Sequence, residues 1–323
     1  MTSFDEVAAE LRAPGLRVAI GTHRNPDGDA IGSVLGLARS LRRHGADVVL
    51  WHTDGDCVPD DLRFLLEPDE AFSSELPADV GERLLIALDC ASEVRLDPNN
   101  ARTAFASVLN VDHHHDNTAF AATNLIAPDA SSTAEIVARL IALAGLPMSA
   151  DIAAPLYVGI VTDTGRFSYS NATPATHQIV ATLLATGVDV AALSSRLYED
   201  RPVEAVRLEG HAIGSLTLSP DGGFARAVLR TADMAEAGTD DAEGIVEVLR
   251  GMRGVSVAAL LRPADEAESV WRVSLRSRGN QVDVSAVARE HGGGGHAAAA
   301  GCTVAGSLDD VLAWLDGAIE RAR

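Results

Sequence analysis

Short apolar runs and an amphipathic stretch define the start of the chain. Four mainly apolar runs have the length of buried β-strands, namely residues 16–21, 47–51, 84–88 and 108–111. From about Ala30 to His44, apolar residues recur at helical spacing, and Gly45 follows as a residue typical of helix C-termini. A strand, a helix and a second strand in this order form a βαβ unit, which predicts a parallel sheet.

Later segments of the first half add helices to this pattern. Ser132 and Glu135 have the spacing of a capping box, and the apolar residues behind them predict a helix. Thr173-Pro174 predicts the start of another helix. The apolar segment 157–161, which comes just before Asp163, fits either a helix or a strand.

The second half of the chain has a different organisation. Composition shifts near 187–210, and Glu-Asp-Arg-Pro at 199–202 interrupts a helical pattern, so this stretch is interpreted as a connector. Strands are predicted at 213–218, 224–229, 255–261 and 270–276, and helices at 240–251, 283–291 and 307–321. These elements indicate a smaller α+β domain after an α/β domain.

Composition limits the classes of function. The chain has 323 residues and a net charge of −20, and its 26 basic residues are all arginines. Non-specific binding along a duplex depends on many phosphate contacts, so such an acidic protein is a poor candidate for binding long duplex nucleic acid. Any nucleic-acid substrate is expected to be small and held locally.

The chain is expected to be cytoplasmic and to have no membrane partner. Its N-terminus lacks the basic and apolar regions of a signal peptide, and no apolar run approaches the ~18 residues of a membrane span. Cys57, Cys90 and Cys302 show no paired spacing, so a disulfide framework is not expected.

Histidines and aspartates follow the predicted strands and the apolar segment 157–161. The residues concerned are His23, Asp27, Asp29, Asp89, Asp112, His113, His114 and Asp163. Ligands bind at the carboxyl edge of open parallel sheets, so we expect these side chains to converge there. A mixed set of imidazole and carboxylate ligands without cysteine suits Mn²⁺ and related ions better than structural Zn²⁺. Two metals that share a carboxylate are a recurrent arrangement for phosphoryl chemistry.

These motifs resemble those of the DHH phosphoesterases. The matching stretches are His23-x-Asn25-Pro26-Asp27-Gly28-Asp29, Asp89, Asp112-His113-His114 and Asp163. In the second half, Ser274-Leu275-Arg276-Ser277 and Gly292-Gly293-Gly294-Gly295-His296 resemble the DHH-associated domain. The resemblance covers nearly the whole chain and is closest to the bacterial oligoribonuclease (nanoRNase)/pAp phosphatase group.

The resemblance implies a fold and a division into domains. The expected fold class is α/β, with a mostly parallel N-terminal sheet sandwiched by helices and a smaller C-terminal α+β domain with a mixed sheet. Residues 1–188 would form the metal-binding catalytic domain, 189–212 a helical connector and 213–323 the nucleotide-binding domain. The active site is expected in the cleft between the two domains.

The resemblance also assigns roles in a centre that holds two Mn²⁺ ions per subunit, with Mg²⁺ or Co²⁺ as alternatives. His23, Asp27 and Asp89 would bind one ion, and Asp29, Asp89, His113 and Asp163 the other. Asp89 and His114 would be catalytic, because the first bridges both ions and the second faces the scissile phosphate. Asp112 would orient an imidazole, and no role is expected for His115.

Substrate contacts are predicted mainly in the second half. The backbone of Gly293, Gly294 and Gly295, followed by His296 and an alanine-rich helical start, indicates an anion site at a helix N-terminus. Arg276 would bind a phosphate bidentately, with Ser277 and Asn280 as polar contacts. Arg166 and Asn171 are further candidates in the first half.

The sequence thus predicts a manganese-dependent phosphoesterase. Its expected substrates are short oligoribonucleotides, pAp, and cyclic di-AMP or its linear product pApA, and a homodimer is expected by resemblance. A family II-like inorganic pyrophosphatase is an alternative, although lysine contacts are expected in that group and this chain has no lysine. A non-catalytic nucleotide sensor is the other alternative, although the metal-ligand positions are all intact.

Overall fold

The chain divides between Asp200 and Arg201 into two units, each with its own sheet and apolar core. This computed structural model describes residues 2–279 and 281–323, so Asn280, a predicted substrate contact, lies outside the described residues. The division falls inside 189–212, the predicted connector, while the three-part domain scheme itself stays a prediction.

Parallel strands form the sheet of the first unit. They are β1 (Arg17–Thr22), β2 (Asp47–Leu50), β3 (Leu84–Leu88), β4 (Ser107–Asp112) and β5 (Thr123–Ile126). Within the described residues, the strand order is β2-β1-β3-β4-β5, and every neighbouring pair is parallel. The four strands predicted from apolar runs are confirmed. The additional β5 gave no comparable signal, because two of its four residues, Thr123 and Asn124, are polar.

Helices lie around this sheet. They are α1 (Phe4–Leu11), α2 (Gly28–His44), α3 (Glu93–Leu96), α4 (Thr133–Ala144), α5 (Ala150–Asp163), α6 (Pro174–Leu184) and α7 (Val190–Tyr198). Short 3-10 helices span Asp60–Leu65, Val80–Glu82 and Ala101–Ala104. The segment 157–161, for which the sequence fitted either a helix or a strand, is part of α5.

Helix α2 packs closely against α5 because of a glycine. A β-carbon on Gly32 would lie 2.3 Å from the carbonyl oxygen of Pro155, so only glycine permits this approach. Asp29 lies in the first turn of α2, and Asp163 is the last residue of α5. The contact between the two helices therefore fixes the distance between two acidic side chains.

The second unit contains a mixed sheet. Its strands are β6 (Thr217–Leu218), β7 (Phe224–Val228), β8 (Val257–Pro263), β9 (Val270–Ser277), β10 (Gly294–His296) and β11 (Ala299–Ala305). Its helices are α8 (Val203–Gly214), α9 (Thr231–Ala237), α10 (Ile245–Arg250), α11 (Val284–Arg289) and α12 (Leu308–Ala322). The strand order is β10-β11-β9-β8-β7-β6, and of the pairs among described residues β7–β8 is parallel and the others are antiparallel.

Apolar clusters cover both faces of this second sheet. Trp271 and Leu275 pack on one face in a cluster that includes residues of α11 and α12. Leu260 packs on the other face in a cluster that includes residues of α8, α9 and α10. The α/β class, with a parallel first sheet and a mixed second sheet, is confirmed.

Two predictions in the second unit are wrong. The predicted strand at 213–218 is mostly the end of α8 and a turn, and only Thr217–Leu218 is a strand. The alanine-rich segment after His296 is strand β11 and not a helix, because alternate residues such as Ala300 and Cys302 bury their side chains against the sheet core. The glycine run therefore does not lie at a helix N-terminus.

Among residues 2–279 and 281–323, every helix is too short or too polar to cross a membrane.

Candidate active site

Three neighbouring strands of the first sheet lead into predicted site residues. His23 directly follows β1, Asp89 follows β3, and Asp112 is the last residue of β4. Because β1, β3 and β4 are adjacent and parallel, their carboxyl ends meet at one edge of the sheet. Asp89 has a φ of +58°, a conformation rare outside glycine and asparagine, which is often found at functional sites.

Asp89 lies between two groups of ligand atoms. In one group, His23, Asp27 and Asp89 each offer an atom within 4.8 Å of the others. In the other, Asp29, Asp89 and His113 meet the same criterion. Asp89 belongs to both groups, as expected for a carboxylate that bridges two metal ions.

The two oxygens of Asp89 face different histidines. Its Oδ2 lies 3.5 Å from His23 Nε2, and its Oδ1 lies 3.7 Å from His113 Nε2. Asp163 completes the second group, because its Oδ2 lies 3.6 Å from His113 Nε2. The structure therefore brings together all six residues predicted as ligands, while their roles in metal binding stay predictions.

Hydrogen bonds fix the orientation of His23. Its Nδ1–H donates to the carbonyl oxygen of Arg24 at 2.9 Å. This bond leaves Nε2, the nitrogen nearest Asp89, without a proton when the imidazole is neutral, which is the form that binds metals.

The N-terminus of helix α4 holds the acidic ligands, and the sequence did not predict this. The backbone N–H groups of Thr133 and Ala134 donate to the two oxygens of Asp29 at 2.7 and 2.8 Å. The Thr133 hydroxyl donates to Asp89 Oδ1 at 2.9 Å. Gly159 leaves room for Asp29, since a β-carbon there would lie 2.9 Å from its Oδ1. The capping pattern at Ser132 predicted the helix but not its hydrogen bonds to Asp29 and Asp89.

Asp112 orients His114 rather than His113. His114 Nδ1–H donates to Asp112 Oδ1 at 2.8 Å, and the backbone N–H of His113 donates to the same oxygen at 2.9 Å. The other oxygen of Asp112 accepts a hydrogen bond from Asn117, whose amide also binds the side chain of Asn110 at 2.8 Å. These two asparagines support the site, and no sequence pattern pointed to Asn110.

Electrostatics in the cluster favour a bound cation. Burial, and then the charges of Asp89 and Asp163, raise the pKa of Asp29 well above its usual range. Burial, and then Asp27 and Asp89, raise the pKa of Asp163 in the same way. Burial opposes ionisation of Asp89 too, but its hydrogen bond with His23 and the charges of His114 and His113 hold its pKa below normal. Crowded buried carboxylates of this kind are relieved by a divalent cation.

The donor set present here fits two divalent ions that prefer oxygen and imidazole ligands. Carboxylates and imidazoles provide the ligand atoms. The groups of ligand atoms found among the described residues include no cysteine, and burial raises the pKa of the thiol of Cys90, which directly follows Asp89, well above normal.

The surroundings of His114 favour its protonated form. Burial lowers its pKa, but the hydrogen bond to Asp112 and the charge of Asp89 outweigh burial and raise the pKa to about 9. A protonated imidazole beside the acidic cluster can donate to an anionic ligand. His115 is exposed, in keeping with a residue without a role in the site.

In the second unit, the polar groups of two predicted substrate contacts already form hydrogen bonds within the protein. Arg276 Nε donates to Glu247 Oε1 at 2.6 Å. Ser277 is 1% exposed, and its hydroxyl accepts from the N–H of Val282 at 3.3 Å. A substrate would have to displace Glu247 to use all of Arg276, and burial leaves the Ser277 hydroxyl little access to a ligand.

The glycine run forms strand structure. Gly294 and Gly295 pair with Gly301 and Ala300 across β10 and β11, and His296 pairs with Ala299. A β-carbon on Gly293 would lie 2.2 Å from the carbonyl oxygen of Gly301, so packing requires that glycine. Ligand binding by Gly293, Gly294, Gly295 and His296 stays a prediction.

Arg166 and Asn171 make local contacts in the first unit. The guanidinium of Arg166 lies 3.7 Å from the centre of the Tyr198 ring. Asn171 donates from its amide nitrogen to the carbonyl oxygens of Ser131 and Asp163 at 2.9 and 3.1 Å. Asn171 thus connects the end of α5 with the segment before α4, and its predicted contact with substrate is untested.

Two known domains match this chain. The DHH family, N-terminal domain, matches residues 17–160, and the DHHA1 domain matches residues 226–321.

Relatives match nearly the whole length of this chain. The bifunctional oligoribonuclease and PAP phosphatase NrnA of Thermus thermophilus is 38% identical over 315 residues, which cover 98% of this chain and 90% of the relative. The cyclic-di-AMP phosphodiesterase PdeA of Listeria monocytogenes is 27% identical over 91% of this chain and 45% of its own length.

A solved structure agrees with the fold. The crystal structure of an exopolyphosphatase-related protein from Bacteroides fragilis superposes with a TM-score of 0.88 and 26% identity, covering 98% of this chain and 95% of that one. The family resemblance predicted from the motifs is confirmed: the chain belongs to the DHH phosphoesterase family, and its second unit carries a DHHA1 domain.

Proposed function

We propose that the protein is a manganese-dependent phosphoesterase with two metal ions per subunit. It hydrolyses short oligoribonucleotides to mononucleotides and pAp to AMP, and it also accepts cyclic di-AMP or pApA. The observation that carries this proposal is the buried group of six imidazole and carboxylate ligands centred on Asp89. The names of the relatives from Thermus thermophilus and Listeria monocytogenes support the substrate classes.

The ligands divide between two ions. His23, Asp27 and Asp89 would hold one ion, and Asp29, Asp89, His113 and Asp163 the other. Bound there, the ions would supply Lewis acidity, which lowers the pKa of a water molecule and neutralises charge on the phosphate. Mn²⁺ accepts this mixture of oxygen and imidazole ligands, as would Mg²⁺ or Co²⁺ with different strength.

His114 acts on the substrate as a proton donor. Asp112 holds its Nδ1–H and so directs the ring, and Nε2 is the atom that would donate. Although burial lowers the pKa of His114, the hydrogen bond to Asp112 raises it and so favours the protonated ring. It can therefore donate to a phosphate oxygen or to the oxygen that leaves when the P–O bond breaks.

Hydrolysis of a phosphoanhydride is the second candidate. The structural likeness to an exopolyphosphatase-related protein favours it. Such an enzyme would use the same metal ligands on inorganic pyrophosphate or polyphosphate.

A substrate panel separates these functions. The purified chain is incubated with Mn²⁺ and, in parallel, with pAp, a diribonucleotide, cyclic di-AMP, pyrophosphate and polyphosphate, and then with Mg²⁺ or Co²⁺ in place of Mn²⁺. We expect AMP from pAp and mononucleotides from the diribonucleotide. Release of phosphate from the inorganic substrates alone would favour the second candidate. Nucleotide binding without any turnover would instead support the sensor alternative.

A further inference from the structure

One face of the second sheet carries several arginines, and not all of them have a predicted role. On β9, Trp271, Val273 and Leu275 face the core formed with α11 and α12. Side chains alternate along a strand, so Arg272 and Arg276 lie together on the opposite face.

Two arginines lie directly opposite each other on this face. Arg272 on β9 is in register with Arg262 on β8 and with Thr303 on β11. Like charges at directly opposed positions destabilise a sheet. In a chain of net charge −20, retention of such a pair calls for an explanation.

The two arginines differ in their surroundings. Arg262 is partly buried and donates to the carbonyl oxygen of Asp240 at 2.8 Å. Burial, and then the charge of Arg272, lower the pKa of Arg262 despite the nearby carboxylates of Asp240 and Asp241. Arg272 is exposed, and no side chain or carbonyl in residues 2–279 and 281–323 forms an ion pair or hydrogen bond with its guanidinium. Its donors are available to an anion.

On β9, β11 and β10, the next row along the strands has almost no side chains. It consists there of Ser274, Gly301 and Gly294, which are in register, while Leu260, the member of this row on β8, is buried in the core. A β-carbon on Gly294 would meet no atom of a described residue within 4 Å, and one on Gly301 would make only ordinary contact at 3.4 Å. Packing does not require either glycine, so the open row provides space for a ligand.

A second polar row lies beyond the open one. Arg276, Ala299 and His296 are in register there, and Arg276 and His296 are predicted substrate contacts. Arg272 and Arg276 are four residues apart on one strand, which corresponds to about 13 Å. The face therefore has cationic groups at both ends of an open strip. The strip is longer than a contact with one phosphate requires.

We propose that Arg272, with Arg262 beside it, forms a distal phosphate subsite for short oligoribonucleotides. It binds a backbone phosphate one or more nucleotides away from the part of the substrate held at Arg276 and His296. The proposal rests on the function proposed above and adds a determinant of substrate length. A substrate as short as pAp has no phosphate that reaches this subsite.

Kinetics with substrates of different length test the subsite. Arg272→Gln removes the charge, and Arg253→Gln is the matched control, because Arg253 is also an exposed arginine of the second unit. We expect Arg272→Gln to lower the ratio of kcat/KM for a ribopentanucleotide to kcat/KM for pAp about fivefold, the size of one exposed charge-assisted contact. The loss should be in KM and not in kcat. Arg253→Gln should leave the ratio unchanged.

A binding measurement without turnover provides an independent readout. Binding of a fluorescent ribopentanucleotide in EDTA is followed by anisotropy at several salt concentrations. Loss of one phosphate contact should reduce the slope of log Kd against log salt by about 0.7.

The outcomes separate the two proposals. An unchanged substrate ratio and an unchanged salt slope in Arg272→Gln would overturn the distal subsite while leaving the phosphoesterase function intact. No nucleotide hydrolysis by the wild type would overturn the function instead, and the anisotropy result would still decide whether Arg272 binds the oligonucleotide.

Discussion

At the scale of single residues, Asp89 connects the two halves of the proposed centre. Its oxygens face His23 and His113, and its backbone adopts a left-handed conformation at the end of β3. The other acidic ligands each belong to one half only. Asp89 is therefore the ligand whose loss should affect both ions.

Replacement of Asp89 should abolish activity. Asp89→Asn keeps the size of the side chain but removes the charge shared by both ions, so kcat/KM for pAp should fall by more than about 100-fold. Bound Mn²⁺, measured by metal analysis after gel filtration, should fall with it. His115→Ala, in the exposed loop nearby, is the control and should retain activity and metal. Near-normal turnover with full metal content in Asp89→Asn would refute the bridging role.

The hydroxyl of Thr133 should strengthen metal binding. Its hydroxyl donates to Asp89, and loss of such a bond to a metal ligand typically weakens metal binding about 10- to 100-fold. Thr133→Val, similar in shape but without the hydroxyl, should raise the Kd for Mn²⁺ at least tenfold in calorimetry. Thr133→Ser keeps the hydroxyl and should bind nearly as well as the wild type. Equal affinities in all three proteins would contradict a contribution of the Thr133 hydroxyl to metal binding.

The sequence predicted the ligand candidates but not their supports. His23, Asp89 and His113 could be identified because charged or imidazole groups after apolar strands have few structural explanations. Thr133 could not, because its bonds to Asp29 and Asp89 exist only after distant segments fold together. A threonine at the start of a helix is ordinary in sequence, and its function here depends entirely on tertiary contacts.

At the scale of elements, apolar runs and apolar periodicity predicted the strands and helices that build the site. Strands β1 to β4 and helix α2 were predictable because their apolar residues form short runs or recur at helical spacing. The alanine-rich strand β11 was not, because alanine favours helices and only the neighbouring strands β9 and β10 impose the extended conformation. Strand β5 was too polar to give a signal.

The contact between α2 and α5 should be sensitive to one methyl group. Gly32→Ala would place a β-carbon 2.3 Å from the Pro155 carbonyl oxygen, so the helices must separate. Overpacking of this kind costs about 1–3 kcal/mol in the free energy of unfolding, to be measured by urea denaturation. Gly81→Ala is the control in the same unit, because a β-carbon there meets no described atom within 4 Å. A Gly32→Ala protein as stable as the control would contradict the close packing.

At the scale of the whole molecule, the net charge and the family relationship both bear on the size of the substrate. A net charge of −20 disfavours long polyanions, and relatives that match nearly the full length are named for oligoribonucleotide and PAP hydrolysis. The family could be predicted from the motifs, because they occur in both halves and in the expected order. The cytoplasmic location and the homodimer stay predictions.

Substrate length should limit activity. The acidic surface repels each additional phosphate that no subsite binds, so kcat/KM should decline from a pentanucleotide to a 20-nucleotide RNA, and a duplex should not be cleaved. Gel analysis of equimolar labelled RNAs would give the comparison. Faster hydrolysis of the long RNA at low salt would contradict this expectation.

The central claim is that the Asp89 cluster is a two-metal centre that hydrolyses short ribonucleotides. The most direct measurement titrates EDTA-treated protein with Mn²⁺ and records, in the same samples, bound metal per chain and AMP released from pApA. The account predicts no hydrolysis without metal and full activity when two ions per chain are bound. Hydrolysis by the metal-free protein, or no AMP with two ions bound, would contradict it.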